Sequence, residues 1–271
     1  MTTIGIVFAP TQPPERLRAI ALATEAAELE ELWLWEDCFA ESGLAPAAAV
    51  LAWTDRIGVG IGLLPVPLRN VALCAMEIAT LARLFPGRLR PGLGHGVLDW
   101  MGQAGVRAQS PTTLLREYST ALRSLLEGQT VTTSGDYVRL DDVRLAYPPA
   151  SVPPLLIGAT KPKTLAIAGE LGDGVLLAGG EATPDEVRES MRVAIEARRA
   201  RGIDTPFEVS TNVMVPVDAR ADDIEKAVRP YVSVGVTRVT ICGVDADGTP
   251  DGSDRVLRLV DAVAQVRLRF E

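Results

Sequence analysis

Histidine, lysine and cysteine are all scarce in this chain of 271 residues, and each scarcity closes off a class of chemistry. A single histidine, His95, cannot supply the histidine-rich metal cluster of barrel hydrolases, and Cys38, Cys74 and Cys242 lie too far apart for metal-ligand spacing. Only Lys161, Lys163 and Lys226 are lysines, and none falls inside an apolar strand pattern where it could form a Schiff base. The basic residues form no cluster or arm and the formal charge is −8, so nucleic acid is not an expected partner. The longest apolar run, Leu44 to Trp53, is interrupted by Pro46 and is too short to span a bilayer, so no membrane segment is expected. The opening MTTIGIVFAP enters a strand without a charged n-region and apolar h-region, and together with the sparse cysteines this reads as a cytoplasmic chain in a reducing compartment.

What the chain does have is apolar residues, 47 % of the total, enough for one large core in a single domain spanning residues 1–271. Short β-branched or leucine-rich runs alternate with segments of helical period. Eight strands are expected: Ile4 to Phe8, Leu32 to Trp35, Ile57 to Leu63, Arg88 to Leu93, Leu155 to Gly158, Gly174 to Leu177, Glu208 to Val217 and Thr237 to Cys242. Ser110 before Pro111, Thr183 before Pro184 with Glu186 three residues on, and Ser253 before the last apolar stripe read as helix starts. Strands too apolar to have a solvated face, alternating with helices, imply a parallel sheet closed into a (β/α)8 TIM barrel; an open doubly wound sheet is the alternative. The segment GQTVTTSGDYVRLDDVRLAYPPASVPP, with turn signals at Gly128 and at Ser134 and Gly135, breaks the repeat. It is expected to be a small hairpin inserted between strands four and five, over the mouth or along the barrel side.

On such a barrel the residues just after each strand carry function. After strand two come Glu36, Asp37 and Cys38; Asp37 reads either as a hydrogen-bond acceptor for a ligand or as a turn or cap residue. After strand three, Gly60, Gly62, Pro65 and Pro67 crowd the exit, either distorting it at a ligand site or simply ending the strand. After strand four, His95 lies between Gly94 and Gly96, at a ligand or in a structural or solvated place, and the spacing is not that of a dinucleotide-binding loop. After strands five and six, the turns Gly158, Ala159, Thr160 and Ala178, Gly179, Gly180 could present amides to a phosphate, with Lys161 or Lys163 as point charges, or be ordinary turns. With so few ionisable groups, the reaction is expected to rest on an organic cofactor, and hydride transfer suits such a site.

Taken in order, WEDCF, GIGLLPVPLRN, GRLRPGLGHGVLDWMGQAG, the SPTTLLREY helix with its hairpin, and IGATKPKTLAIAGELGDGVLLAGG resemble the bacterial luciferase-like superfamily. Within it the resemblance is to the branch that uses the deazaflavin coenzyme F420, including methylenetetrahydromethanopterin reductase-like proteins. The resemblance implies a non-proline cis peptide from Gly62 to Leu63 behind the central flavin ring. It also implies Asp37 and the Gly94–His95–Gly96 turn near that ring, and the phosphate-bearing tail at Gly158, Ala159, Thr160, Ala178, Gly179 and Gly180. Asp37, Cys38 and His95 are the candidates for general acid or base. Cys38 and Val97 stand where sugar-phosphate dehydrogenases of the branch carry His and Glu, so glucose 6-phosphate is not the expected substrate. The implied function is hydride transfer between coenzyme F420 and a small organic substrate, with an FMN-dependent monooxygenase and a flavin-binding barrel without catalysis as alternatives. A homodimer through outer helices is also implied.

Overall fold

The apolar runs and the alternating helices assemble as the sequence pattern requires. In a computed structural model, which describes residues 2–177 and 182–270, parallel strands β1 (Thr3–Phe8), β2 (Glu31–Leu34), β3 (Gly58–Pro65), β4 (Leu89–Gly94), β7 (Leu156–Ala159), β8 (Gly174–Leu177), β9 (Glu208–Pro216) and β10 (Arg238–Val244) close into a barrel in the order β1-β10-β9-β8-β7-β4-β3-β2. Around it stand α1 (Leu17–Ala26), α2 (Leu44–Trp53), α3 (Val71–Leu84), α4 (Leu98–Gln103), α5 (Pro111–Leu126), α6 (Pro162–Leu171), α7 (Pro184–Ala200), α8 (Ala221–Ser233) and α9 (Arg255–Arg267). The open-sheet alternative is excluded by the β1–β2 and β1–β10 pairings that close the ring. The Leu44 to Trp53 run is helix α2, buried through Leu44, Ala47, Val50 and Leu51. No helix among the described residues is long and apolar enough to cross a membrane.

Helix starts follow the chemistry of their first residues. Ser110 and Thr183 each accept an N–H from the third residue on, and Thr183 with Glu186 forms a reciprocal capping box. Near the expected start at Ser253, α9 begins at Arg255, whose N–H the Ser253 hydroxyl accepts while donating its own hydrogen to Asp251 at 2.6 Å. The hairpin, β5 (Val131–Ser134) and β6 (Arg139–Val143), runs along the barrel side against α5. Its tip is held by Glu117 of α5, which accepts from the amides of Asp136, Tyr137 and Val138, while the Tyr137 hydroxyl accepts from the Ser110 amide.

Two separate cores result from strand alternation. Outward residues such as Ile4, Ile6, Phe8, Leu32 and Leu34 pack against the helices, whereas Val7, Ala9, Trp33, Leu156 and Cys242 form a second cluster inside the barrel. Below that inner cluster, at the end where the strands begin, four charged side chains replace apolar filling. Arg90 bonds Glu31 at 2.8 Å and Glu208 at 2.9 Å, and Arg238 bonds the same two carboxylates at 2.7 and 2.5 Å. The result is a closed ring of alternating sign. Burial alone would lower the Arg238 pKa, but the charges and hydrogen bonds of Glu31 and Glu208 carry it above its ordinary value. The Trp33 indole donates to Glu31 at 2.9 Å, so the ring also fixes the aromatic that fills the barrel above it. Gly60 is required beside that indole: a Cβ there would lie 2.3 Å from ring atoms of Trp33.

Removing one member of such a ring leaves buried charge without its partner. Glu31→Leu deprives Arg90, Arg238 and Trp33 at once and is expected to destabilise the fold by about 3–5 kcal/mol, read as a melting temperature lowered by roughly 10 °C. A melting temperature within 2 °C of the unaltered protein, measured by calorimetry, would contradict the ring's role.

Candidate functional site

The strand exits singled out by the sequence come from neighbouring staves of the barrel. β2, β3, β4, β7 and β8 are consecutive in the closed sheet, so Asp37 and Cys38, Gly62 and Leu63, Gly94 to Gly96, and Gly158 to Thr160 form one continuous arc of the rim. Ala178, Gly179 and Gly180, expected at the end of that arc, lie outside the described residues.

Alternation along β2 and its extension sorts the side chains between the two faces of the wall. Trp33 and Trp35 join the inner cluster, Glu36 turns to Arg69, and Asp37 follows in the loop beyond the end of β2 at Leu34. Asp37 is half-buried and its side chain makes no hydrogen bond or ion pair among the described residues; burial alone pushes its pKa up. A carboxyl in such a place is a group whose proton is easily kept and easily used. The Cys38 thiol is raised too, first by burial and then by the charges of Glu36 and Asp37. Burial lifts Cys74 to about 11 and Cys242 to about 12. All three thiols therefore stay protonated at neutral pH, and Cys38 is no thiolate nucleophile.

At β3 the register with β4 shifts between Ile61 and Leu64, and the Gly62–Leu63 peptide is cis, as the resemblance implies; the Cys38–Phe39 peptide is cis as well. The shift turns the Leu63 side chain across the inner wall. A Cβ built on Gly94 would come within 2.5 Å of Leu63 Cδ2, and one on Gly158 within 2.2 Å, so Leu63 reaches from β3 over β4 to β7. Glycine at both places is what lets one leucine cover this part of the rim. At β4, His95 Nδ1 lies 2.7 Å from the Gly96 carbonyl oxygen. A carbonyl only accepts, so Nδ1 carries a hydrogen in this contact, and Nε2 has no partner among the described residues. Phe39 and Val97, both exposed, add apolar surface at the β2 and β4 exits.

After β7, Ala159 is buried and Thr160 exposed, and α6 opens behind Lys161, whose amide donates to Thr164 Oγ1 at 3.3 Å. Neither Lys161 nor Lys163 has an ion-pair partner among the described residues; both are exposed at the start of α6, whose first residue, Pro162, has no N–H to offer. Across the barrel the rim is tied shut. Gln12, after β1, donates to the Asp251 carbonyl at 2.8 Å, Arg16 donates to the Gly252 carbonyl at 2.6 Å, and Arg255 pairs with Asp245 and Asp251.

The chain, with its cis bond and Leu63 on the third strand and its lysines after the fifth barrel strand, matches the model of one family over residues 2–258, described as luciferase-like monooxygenase. The chain belongs to that family. This luciferase-like chain is 28 % identical to the 5,10-methylenetetrahydromethanopterin reductase of Methanolobus tindarius over 85 % of its own length and 70 % of the relative's. It superposes with a TM-score of 0.85 at 19 % identity on an F420-dependent secondary alcohol dehydrogenase solved with an F420–acetone adduct, over 98 % of both chains. A monooxygenase from Streptomyces bottropensis gives a TM-score of 0.85 at 17 % identity over 99 % of both.

Reading strand exits in the sequence missed two parts of the luciferase-like site. One is the ion pair of Glu36 with Arg69; its signal is that both residues lie just past adjacent strands. The other is the reach of Leu63, which depends on Gly94 and Gly158, far away in the chain. Gly158→Ala tests that reach. The added Cβ meets only the far end of a flexible side chain, so the protein is expected to fold, while the displaced Leu63 weakens cofactor binding about tenfold or more. Combining it with Leu63→Ala should recover most of the loss in a fluorescence titration with the deazaflavin.

Proposed function

We propose that this protein is an oxidoreductase that moves hydride between coenzyme F420 and a small organic substrate. The observation that carries the proposal is Asp37, a half-buried carboxyl at the β2 exit without a partner among the described residues, in a chain similar to a methylenetetrahydromethanopterin reductase. The residues present fit such a cofactor: Gly94 and Gly158 keep the inner wall free of Cβ atoms, and Lys161, Lys163 and the first turn of α6 suit a phosphate. When bound, F420 supplies the two-electron, hydride-transferring centre that the chain lacks. Asp37 then holds the proton that must accompany hydride at a substrate carbonyl or double bond, giving it up in reduction and taking it back in oxidation. His95 Nε2 stands on the same arc as an alternative acceptor. Leu63, with Phe39 and Val97, presents apolar surface that keeps water from the reacting atoms. Ala178, Gly179 and Gly180 remain part of the proposed phosphate site.

A homodimer belongs to the same proposal, supported by Leu73, Met76 and Leu84, which α3 leaves exposed. Cytoplasmic residence is supported by the three free cysteines, none of which pairs with another.

Cofactor titration is the deciding experiment. Purified protein should bind F420 and leave FMN unbound; tight binding of FMN with none of F420 would replace the proposal with a flavin monooxygenase, and binding without turnover on a panel of alcohols, ketones and enoyl compounds would leave a barrel without catalysis. Asp37→Asn should lower turnover about 100-fold or more while keeping cofactor affinity. Because burial raises its pKa, Asp37 lends most stability below the ordinary aspartate range and loses it as pH rises through the raised value. Asp37→Asn should therefore melt no lower than the parent at pH 8, with a flatter dependence of melting temperature on pH.

A further inference from the structure

Glu36 and Asp37 are consecutive residues in the loop that leaves β2, the first held by an ion pair and the second without a partner among the described residues. Glu36 is 7 % exposed and takes both arms of one guanidinium, Arg69 Nη1 at 2.7 Å and Nη2 at 3.0 Å. Its Oε2 also accepts the Gly43 amide at 2.5 Å. One carboxylate thus joins the β2 exit, the β3 exit and the start of α2. Around Arg69 the remaining titratable groups are Glu77 of α3, 3.9 Å away, Cys74 of α3 and Tyr118 of α5. Burial would lower the Arg69 pKa, but hydrogen bonds and charge from Glu36 raise it, so the residue is a fixed cation. On its own segment Asp37 is flanked by Glu36 and by Cys38, whose thiol feels both carboxylates, and the upward shift of Asp37 comes from burial.

We propose that Arg69 is a positioning residue of the site: by clamping and neutralising Glu36 it fixes where Asp37 stands and keeps a second negative charge from its side. The argument has a mechanical and an electrostatic half. Without Arg69, Glu36 is a buried carboxylate lacking its cation, a state costly enough to make it move or take up a proton. The α2 end of its tether cannot follow, since Gly43 already lies so close to β3 that a Cβ there would meet Ile61 Cγ2 at 2.5 Å. Displacement therefore falls on residues 37–42, which include Asp37. An unneutralised Glu36 one peptide away also opposes ionisation of Asp37.

The proposal rests on Asp37 being the proton-holding group of the site, and its test does not need the cofactor. The side-chain carboxyl of Asp37 is titrated by 13C NMR in the protein alone, its resonance assigned by its loss in Asp37→Asn, with melting temperatures recorded alongside. Arg69→Gln should raise the Asp37 midpoint by about one pH unit, and Arg69→Lys, which keeps the charge but not the two-armed contact, by less. Glu36→Gln retains an acceptor for the Gly43 amide and should lower the midpoint; it carries the test if Arg69→Gln fails to fold. The double variant should return the midpoint to near that of the parent. An Asp37 midpoint unchanged in both Arg69→Gln and Glu36→Gln would overturn the proposal and leave Arg69 a purely structural tie. If the midpoints move as expected but F420 does not bind, the cofactor reading falls and this one stands.

Discussion

The ring of Glu31, Arg90, Glu208 and Arg238 is the constraint on which the rest of the barrel stands. Four charges inside a protein are tolerable only when each is paired and hydrogen-bonded, and a closed alternating ring satisfies all four with the same four contacts. The ring seals the end of the barrel where the strands begin, and it sets Trp33 through the indole N–H. Trp33 in turn dictates Gly60 on the neighbouring strand. Above the ring on the same face of β9 and β10 stand Ser210, Asn212 and Thr240, with the Thr240 hydroxyl donating to Asn212 Oδ1, and the apolar cluster of Val7, Ala9, Trp33, Leu156 and Cys242 lies with them inside the barrel.

At the opposite end, where the strands finish, the site is sparse. One thiol, one histidine and one aspartate without a partner among the described residues are a thin set of groups for catalysis, and this thinness suits a protein that borrows its redox centre. The chain's own contribution is placement. Leu63 spans two neighbouring strands, and Arg69 reaches back to Glu36, so the inner wall and the outer tie of the same exit are set by residues only six apart.

Much of the barrel was legible in the sequence because a parallel sheet buried on both faces leaves uninterrupted apolar runs, and each expected strand falls within two residues of an observed one. The hairpin was legible from Ser134 and Gly135, but its seat on the barrel side depends on Glu117, whose spacing from the tip carries no motif. Ser253 does accept from the first amide of α9, that of Arg255, while its hydroxyl hydrogen goes to Asp251, a partner two residues back that no helix-start pattern includes. The strand exits were readable as places; what they touch was not. Contacts such as Leu63 with Gly158, or Glu31 with Arg238 two hundred residues on, are products of closure, which no local pattern encodes.

The latch of Gln12, Arg16 and Arg255 on the loop after β10 divides the rim into unequal halves. One half is a hinge-free abutment, its loops interlocked by hydrogen bonds to one another and so unable to change independently. The other, from β2 round to β7, has its first two exits tied through Glu36 and Arg69 but leaves the side chains of Phe39 and Val97 exposed. Divergence of substrate range within a lineage can therefore proceed by altering residues such as Phe39 and Val97 one at a time, while the latched half holds the barrel's shape constant beneath them.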